Sequence, residues 1–208
     1  MNYWKKIKFI NENKNYVPNI SLFRFLSACN FAFKGKKILD IGFLHGADLL
    51  EFKRRKAEVY GVDINPDSIR LLKSKLGSNK IKYADITKEP IPFKKKFDLI
   101  YHNDFLYYLS YPQINKHFED VCSKLKKNSF FLIQFIQSDF IINIGTTYIK
   151  KKFSEIDNPV KFLNEKKILK LSKKNKFKLY GKKILIESYD RNEKKIRINK
   201  YLLFKKNS

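Results

Sequence analysis

Glycine, proline, cysteine and tryptophan are all scarce in this chain: 7, 6, 2 and 1 among 208 residues. So little glycine and proline excludes a collagen-like or low-complexity chain, and makes each glycine a candidate for a turn that needs it. The two cysteines, Cys29 and Cys122, lie in apolar surroundings without Cys-x-x-Cys spacing, so neither a disulfide framework nor a zinc site is expected, and a reduced cytoplasmic setting is. No run of about 18 apolar residues occurs, and "MNYWKKIKFINENKN" has charge but no apolar stretch of the signal-peptide kind. Neither a membrane span nor export is predicted. Acidic residues are also short: 20 against 45 basic ones, a formal net charge of +25. That field suits a polyanionic partner. Yet the basic residues are overwhelmingly lysines in scattered doublets, beside abundant Asn, Ile, Phe and Tyr, a bias that AT-rich coding produces unaided. A solvated lysine surface is the favoured expectation, with nucleic acid as a possible partner. Hydrophobic residues at 43% and aromatics at 15% are enough for one folded domain with a single sizeable core.

Residues 1–34 read as an N-terminal helical extension, with helical spacing at Leu22, Phe25, Leu26 and Cys29. From residue 35 to 208 the pattern is that of one domain. "KKILDI", "EVYGVDI", "KIKYADI", "FDLIYHN" and "SFFLIQFI" are strand-like, and "ADLLEFKRRK", "NPDSIRLLKSKLG" and "YPQINKHFEDVCSKLK" are helical, with Pro66 in a first turn and Gly77 after a last one. Such alternation implies parallel βαβ units with right-handed crossovers. Further on, "VKFLNEKKILKLSKKN" is a lysine-rich helix, and "FKLYGKKILIESYD" with "KKIRINKYLLFKKN" forms an antiparallel hairpin. The expected fold is α/β: a doubly wound, mostly parallel, seven-stranded Rossmann-like sheet closed by a C-terminal antiparallel hairpin.

In such a sheet ligands sit at the carboxyl ends of the strands, where the order reverses. Four loops qualify. "DIGFLHG" places Asp40, Gly42, Phe43 and Gly46 in a turn of the nucleotide-binding kind, with Leu44 at the place of a middle glycine. Asp63, about twenty residues after Asp40, suits the two hydroxyls of a ribose, the competing role being a helix cap. Asp85 suits the exocyclic amine of a base, with Ile64 and Ile86 as apolar plates. "YHNDFLYYL" supplies His102, Asn103, Asp104, Tyr107 and Tyr108, polar groups from which a general base can be drawn, although the two tyrosines suit an aromatic wall or core equally. His45 reads as packing more than catalysis.

Taken in order, "LDIGFLHG", "VYGVDINPDSI", "ADIT", "FDLIYHNDFLYYL" and "LKKNSFFLIQF" resemble the class I S-adenosylmethionine-dependent methyltransferases, over roughly Lys36 to Phe135. The resemblance implies S-adenosylmethionine as cofactor: Asp63 on its ribose, Asp85 on the adenine amine with Ile86 beside it, the Gly42 to Gly46 turn around the methionine part, and the backbone at His102 and Asn103 facing its ammonium. It also implies a role for residues 1–34 in closing over the cofactor, with Tyr3, Trp4, Tyr16 and Arg24 lining the site; the competing reading, of equal standing, is a helix that covers the edge of the sheet with Arg24 in water. Leu44 counts against a dinucleotide, whose pyrophosphate needs the backbone to close upon it, and far less against a cofactor without phosphate.

The expected reaction is methyl transfer to an oxygen or nitrogen of a small-molecule or sugar-containing, glycan-type acceptor, with Asp104, then His102 and Tyr107, as catalytic candidates and no metal. The alternatives are an RNA or DNA methyltransferase, for which no Asn-Pro-Pro-Tyr motif is present, and a non-catalytic binding module that kept the fold.

Overall fold

β-branched and aromatic runs become strands and the amphipathic stretches between them helices in the computed structural model, which describes residues 16–136, 163–190 and 195–207. In chain order the elements are α1 (Ile20–Ala28), β1 (Lys37–Ile41), α2 (Ala47–Arg54), β2 (Glu58–Asp63), α3 (Pro66–Leu76), β3 (Ile81–Tyr83), β4 (Phe97–Asn103), a 3-10 turn (Leu106–Tyr108), α4 (Tyr111–Lys124), β5 (Leu125–Ile136), α5 (Glu165–Lys174), β6 (Phe177–Asp190) and β7 (Lys195–Lys206).

The strands make one seven-stranded sheet in the order β3-β2-β1-β4-β5-β7-β6. β1 to β5 pair in parallel, and β7 runs antiparallel to both β5 and β6. The expected doubly wound sheet with its closing hairpin is the observed one. From β1 the chain moves outward through β2 and β3, then returns to place β4 on the other side of β1, so the order reverses between β1 and β4. A crevice outside the carboxyl ends of those two strands follows from that reversal.

Continuous apolar runs such as Ile38 to Ile41 arise because both faces of the sheet are covered. Leu39, Ile41, Val62, Ile100 and Phe131 pack on the side that carries α4 and α5, together with Ile114, Phe118 and Ile168. Ile38, Val59, Leu99 and Tyr101 pack on the other side, against Leu22, Phe25, Leu49, Phe52, Leu72 and Leu76 of α1, α2 and α3. Each such side chain, fully buried, contributes about 1.5 to 3 kcal/mol. α1 thus belongs to the same apolar layer as α2 and α3.

Helix starts follow the sequence signals. Asn65 caps α3 by accepting from the N–H groups of Asp67 and Ser68, with Pro66 next, and Gly77 ends the helix at φ 96°. Ser110 and Gln113 form a reciprocal capping box at α4. β5 begins earlier than the sequence suggests: Leu125 pairs with Phe97, and after a register shift Phe130 pairs with Leu99. Asn128, at φ 60°, lies within that irregularity and blurs the alternation from which a strand is read. Among the described residues no helix is long and apolar enough to cross a membrane.

Gly46 shows how tightly the crevice is built on this layer. It caps α2 at φ 73°, and a Cβ there would lie 2.4 Å from Cδ1 of the fully buried Leu72. Gly46→Ala therefore combines left-handed strain with overpacking, and chemical denaturation is expected to show a loss of about 2 to 4 kcal/mol; a loss under about 0.5 kcal/mol would mean that the loop and Leu72 relax freely.

Candidate functional site

The loop after β1 takes positive φ at three alternate residues: Gly42 (76°), Leu44 (49°) and Gly46 (73°). For leucine that conformation costs about 1 to 2 kcal/mol. Its compensation is visible: the Leu44 N–H donates to Asp63 Oδ2 at 2.7 Å. A hydrogen bond to a charged group contributes about 1.5 to 3 kcal/mol, enough to offset the strain. The turn keeps the backbone course that a glycine would take, with the leucine side chain only half-buried.

Asp63 is the hinge of the arrangement. Its Oδ1 accepts the Asn65 N–H at 2.8 Å, so the carboxylate braces both the β1 loop and its own, and the cap of α3 is Asn65 rather than Asp63. A carboxylate has about four lone-pair sites, and with a third backbone N–H, that of Ile64, also bonded, capacity remains for one further donor such as a ligand hydroxyl. Burial raises its carboxyl above the ordinary range, against the hydrogen bonds from Asn65, Leu44 and Ile64. Asp40, paired in register with Gly61 and Tyr101, accepts from the Tyr101 hydroxyl at 2.5 Å. Burial pushes Asp40 well up, and Asp48 and Asp63 add repulsion. Asp48, in the first turn of α2, accepts the Asn19 N–H at 2.7 Å, and burial lifts it to about 6. Three partly suppressed carboxylates around one turn form a site that a cationic group stabilises in its ionised form.

Asp85 follows β3 and is 4% exposed; its Oδ1 accepts from the Thr87 N–H and hydroxyl, and its carbonyl from the N–H groups of Lys88 and Glu89. Ile64 and Ile86 are buried beside Asp63 and Asp85. On β4, Asn103 is half-buried and its Oδ1 is a buried acceptor without a hydrogen-bond partner among the described residues. Asp104 follows at φ 51°. Phe105 comes back against the first loop, with Cδ2 3.6 Å from where a Gly42 Cβ would stand. The carboxyl ends of β1, β2, β3 and β4 therefore present Asp40, Gly42, Gly46, Asp63, Ile64, Asp85, Ile86, Asn103 and Asp104 on adjacent loops.

Some sequence expectations are corrected. Phe43 is 5% exposed, its ring lying where a Cβ on Gly61 would come within 2.6 Å, so it props the loop from beneath instead of lining it. His102 is fully buried among Phe105, Phe131 and His117, at ring separations of 5.3, 5.3 and 5.4 Å, and an imidazole there reaches no acceptor. The two-residue period of β4 explains it: Ile100 and His102 face α4, while Tyr101 faces the other layer. His45 stacks on Tyr16 at 4.1 Å and its Nδ1 meets the Ala47 N–H at 3.4 Å, as a packing and helix-start residue. Arg24 is exposed on α1. Tyr108 packs against the core; Tyr107 belongs to the 3-10 turn, its side chain outside the described set, as are Tyr3 and Trp4. Among the described residues no cluster of His, Cys, Asp or Glu has the makings of a metal site.

A family model described as a methyltransferase domain matches residues 32–193, well over half of the chain. The chain belongs to this family, the class I S-adenosylmethionine-dependent methyltransferases that its motifs resemble, and it is an enzyme of that class. Solved structures of similar fold include a SAM-dependent methyltransferase from Methanosarcina mazei, at 15% identity and TM-score 0.69, covering 92% of this chain and 99% of that one. Magnesium protoporphyrin IX methyltransferase from Synechocystis with bound SAH has 14% identity and TM-score 0.69, covering 99% and 94%. Phosphoethanolamine N-methyltransferase 2 from Haemonchus contortus, in complex with phosphomonomethylethanolamine and S-adenosylhomocysteine, has 14% identity and TM-score 0.69, covering 94% of this chain and 55% of that longer one. No curated protein matches the chain significantly.

The buried imidazoles have a thermodynamic signature. No ring nitrogen of His102 or His117 has a partner among the described residues, and burial holds His117 near 4. The unfolded chain binds this proton below about 6.5 and the folded one does not, so the stability is complete above that pH and falls as pH drops toward 4. Asp48 works in the opposite sense over an overlapping window, since the folded chain keeps its proton up to about 6. Unfolding of His117→Phe at pH 5 and 7.5 isolates the histidine: the stability difference between the two pH values should move by about 2 kcal/mol in favour of the acid side, and an unchanged difference would show that His117 is protonated equally in both states.

Proposed function

We propose that this chain transfers the methyl group of S-adenosylmethionine to an oxygen or nitrogen of a small-molecule or sugar-containing acceptor. The observation that carries the reading is the convergence of four loops at the β1/β4 switch point, with buried carboxylates on three of them and the unpartnered Asn103 Oδ1 on the fourth. This donor set fits the cofactor. Asp63 retains acceptor capacity for a ribose hydroxyl, Asp85 suits an exocyclic amine, and Ile64 and Ile86 offer apolar surface on either side of a base. Asp40 and the Asn103 Oδ1 favour a cationic head group, and the Gly42 to Gly46 backbone carries no side chain at its two ends that would block a methionine chain.

When bound, S-adenosylmethionine supplies an electrophilic methyl on a sulfonium sulfur. What remains for the protein is alignment and exclusion of water, which can account for much of the acceleration, and acceptance of a proton from the nucleophile. Asp104, at the end of β4 beside Asn103, is the candidate for that proton; the fully buried His102 is not. Asn103 holds the donor's head group, and Phe105 fixes the loop against Gly42.

The acceptor class rests on general chemistry and on similarity. The relatives named above are described as acting on a porphyrin or a phosphoethanolamine, both small molecules. Lys166, Lys170, Lys173 and Lys174 gather on α5 at the β6 edge of the sheet, while Lys82 on β3 and Lys88 in the loop after it stand closer to Asp85. Elsewhere Arg54, Arg55, Arg70 and Lys126 are paired with Glu51, Asp67 and Asp98.

Calorimetric titration with S-adenosylmethionine and S-adenosylhomocysteine tests the reading. Micromolar binding is expected, and Asp63→Ala should weaken it by about 1.5 to 3 kcal/mol. No binding to the folded, unaltered protein would leave a non-catalytic module with a methyltransferase fold.

A further inference from the structure

We infer that Gln134 is a positioning residue, a buried clamp on β5 that holds the Asn103–Asp104 backbone in the conformation the donor site needs. The inference rests on the reading that the β4 loop faces the donor.

Gln134 pairs in register with Asn103 on β4 and with Tyr201 on β7, and is 3% exposed. Its Oε1 accepts the Asp104 N–H at 2.9 Å, and its Nε2 donates to Asn199 Oδ1 on β7 at 2.7 Å. The backbone N–H of Asp104 determines the orientation of the carboxamide, since the reverse one would set two donors against each other there, and the amide end then donates to Asn199. Asn199 is itself 3% exposed, and on its far side in the chain Lys200, also buried, pairs with Glu165 of α5.

The clamp sits where the backbone needs one. Asp104 is a non-glycine residue at φ 51°, an unfavourable conformation held here by an N–H bonded to a side chain of the neighbouring strand. Without an acceptor, that partly buried N–H is an orphan, and the loop is free to relax toward negative φ. Relaxation would move both of its neighbours. Asn103, on one side, carries the unpartnered Oδ1; Phe105, on the other, rests against Gly42 of the first loop. A single amide from β5 therefore sets the position of an acceptor for the donor's cationic head and of the aromatic wall behind the glycine turn.

Gln134→Leu removes the acceptor at nearly equal size, and Gln134→Glu keeps an oxygen for Asp104 while Asn199 turns its amide to donate. Asn175→Leu serves as a structural control, because Asn175 is buried and ties α5 to α4 through Asn115, away from the site. S-adenosylhomocysteine binding by calorimetry, melting temperature and hydrogen exchange at the Asp104 amide are measured for all four proteins. The clamp predicts at least tenfold weaker binding and tenfold faster Asp104 exchange for Gln134→Leu. Gln134→Glu should stay within threefold of the unaltered protein in both, and Asn175→Leu should lose melting temperature but keep its affinity. Unaltered affinity in folded Gln134→Leu overturns the inference, as does a tenfold loss in Asn175→Leu. If Gln134→Leu does not fold, Gln134→Glu decides: a tenfold loss of affinity in that folded variant overturns it. Absence of binding to the unaltered protein overturns the donor-site reading and this inference's functional half, whereas equal Asp104 exchange in every variant removes the clamp alone.

Discussion

One hydrogen bond, from the backbone N–H of Leu44 to the carboxylate of Asp63, holds together the end of the sheet where ligands belong. It crosses from the loop after β1 to the end of β2 and keeps a leucine in a conformation that leucine resists. The strained residue is flanked by two glycines with φ of the same sign, so its release would let the whole turn relax. Asp63 is in turn fixed by Asn65, and Asn65 by the first turn of α3. A short chain of local bonds thus carries the rigidity of a helix start into a loop that has no side-chain cap of its own.

The same carboxylate sits in a field of like charge. Asp40, Asp48 and Asp63 are all held above the ordinary carboxylate range, each chiefly by burial. Keeping acidic groups in a crevice at that expense makes physical sense if a cation arrives to be stabilised, which S-adenosylmethionine supplies. The surface bears the opposite sign, and the net charge of +25 says little about the crevice. Charge counted over a chain and charge arranged at a site answer different questions.

On the other side of β1, the polar chain Asp104, Gln134 and Asn199 links the end of β4 to β5 and β7, and the next residue of β7, Lys200, pairs separately with Glu165 of α5. Buried polar groups of this kind specify one arrangement among many, because each partner lost leaves another unsatisfied. The antiparallel hairpin then has a role besides covering β5, since it supplies Asn199 and Lys200. In this way the edge of the sheet most remote in sequence from the first glycine loop still bears on the loop beside it.

The alternation of strands and helices was legible in the sequence, and so were the hairpin, the positions of Asp40, Asp63 and Asp85 at strand ends, and the glycine turn, because each follows from local periodicity, propensity or spacing. Local pattern carries no information about which face a strand residue meets. His102 and Phe43 were read as site residues from their position in the chain, yet the period of β4 and the absent side chain of Gly61 turn both inward. Leu44 looked like a defect, and only the partner on β2 shows how the turn tolerates it. Gln134 gave no signal, an apolar-strand residue whose meaning depends on neighbours 30 and 65 positions away. The sequence by itself determined the order of elements and the acidic residues at their ends; the tertiary structure decided which side chains share a space, because burial and hydrogen bonding are settled between strands that the chain brings together only by folding.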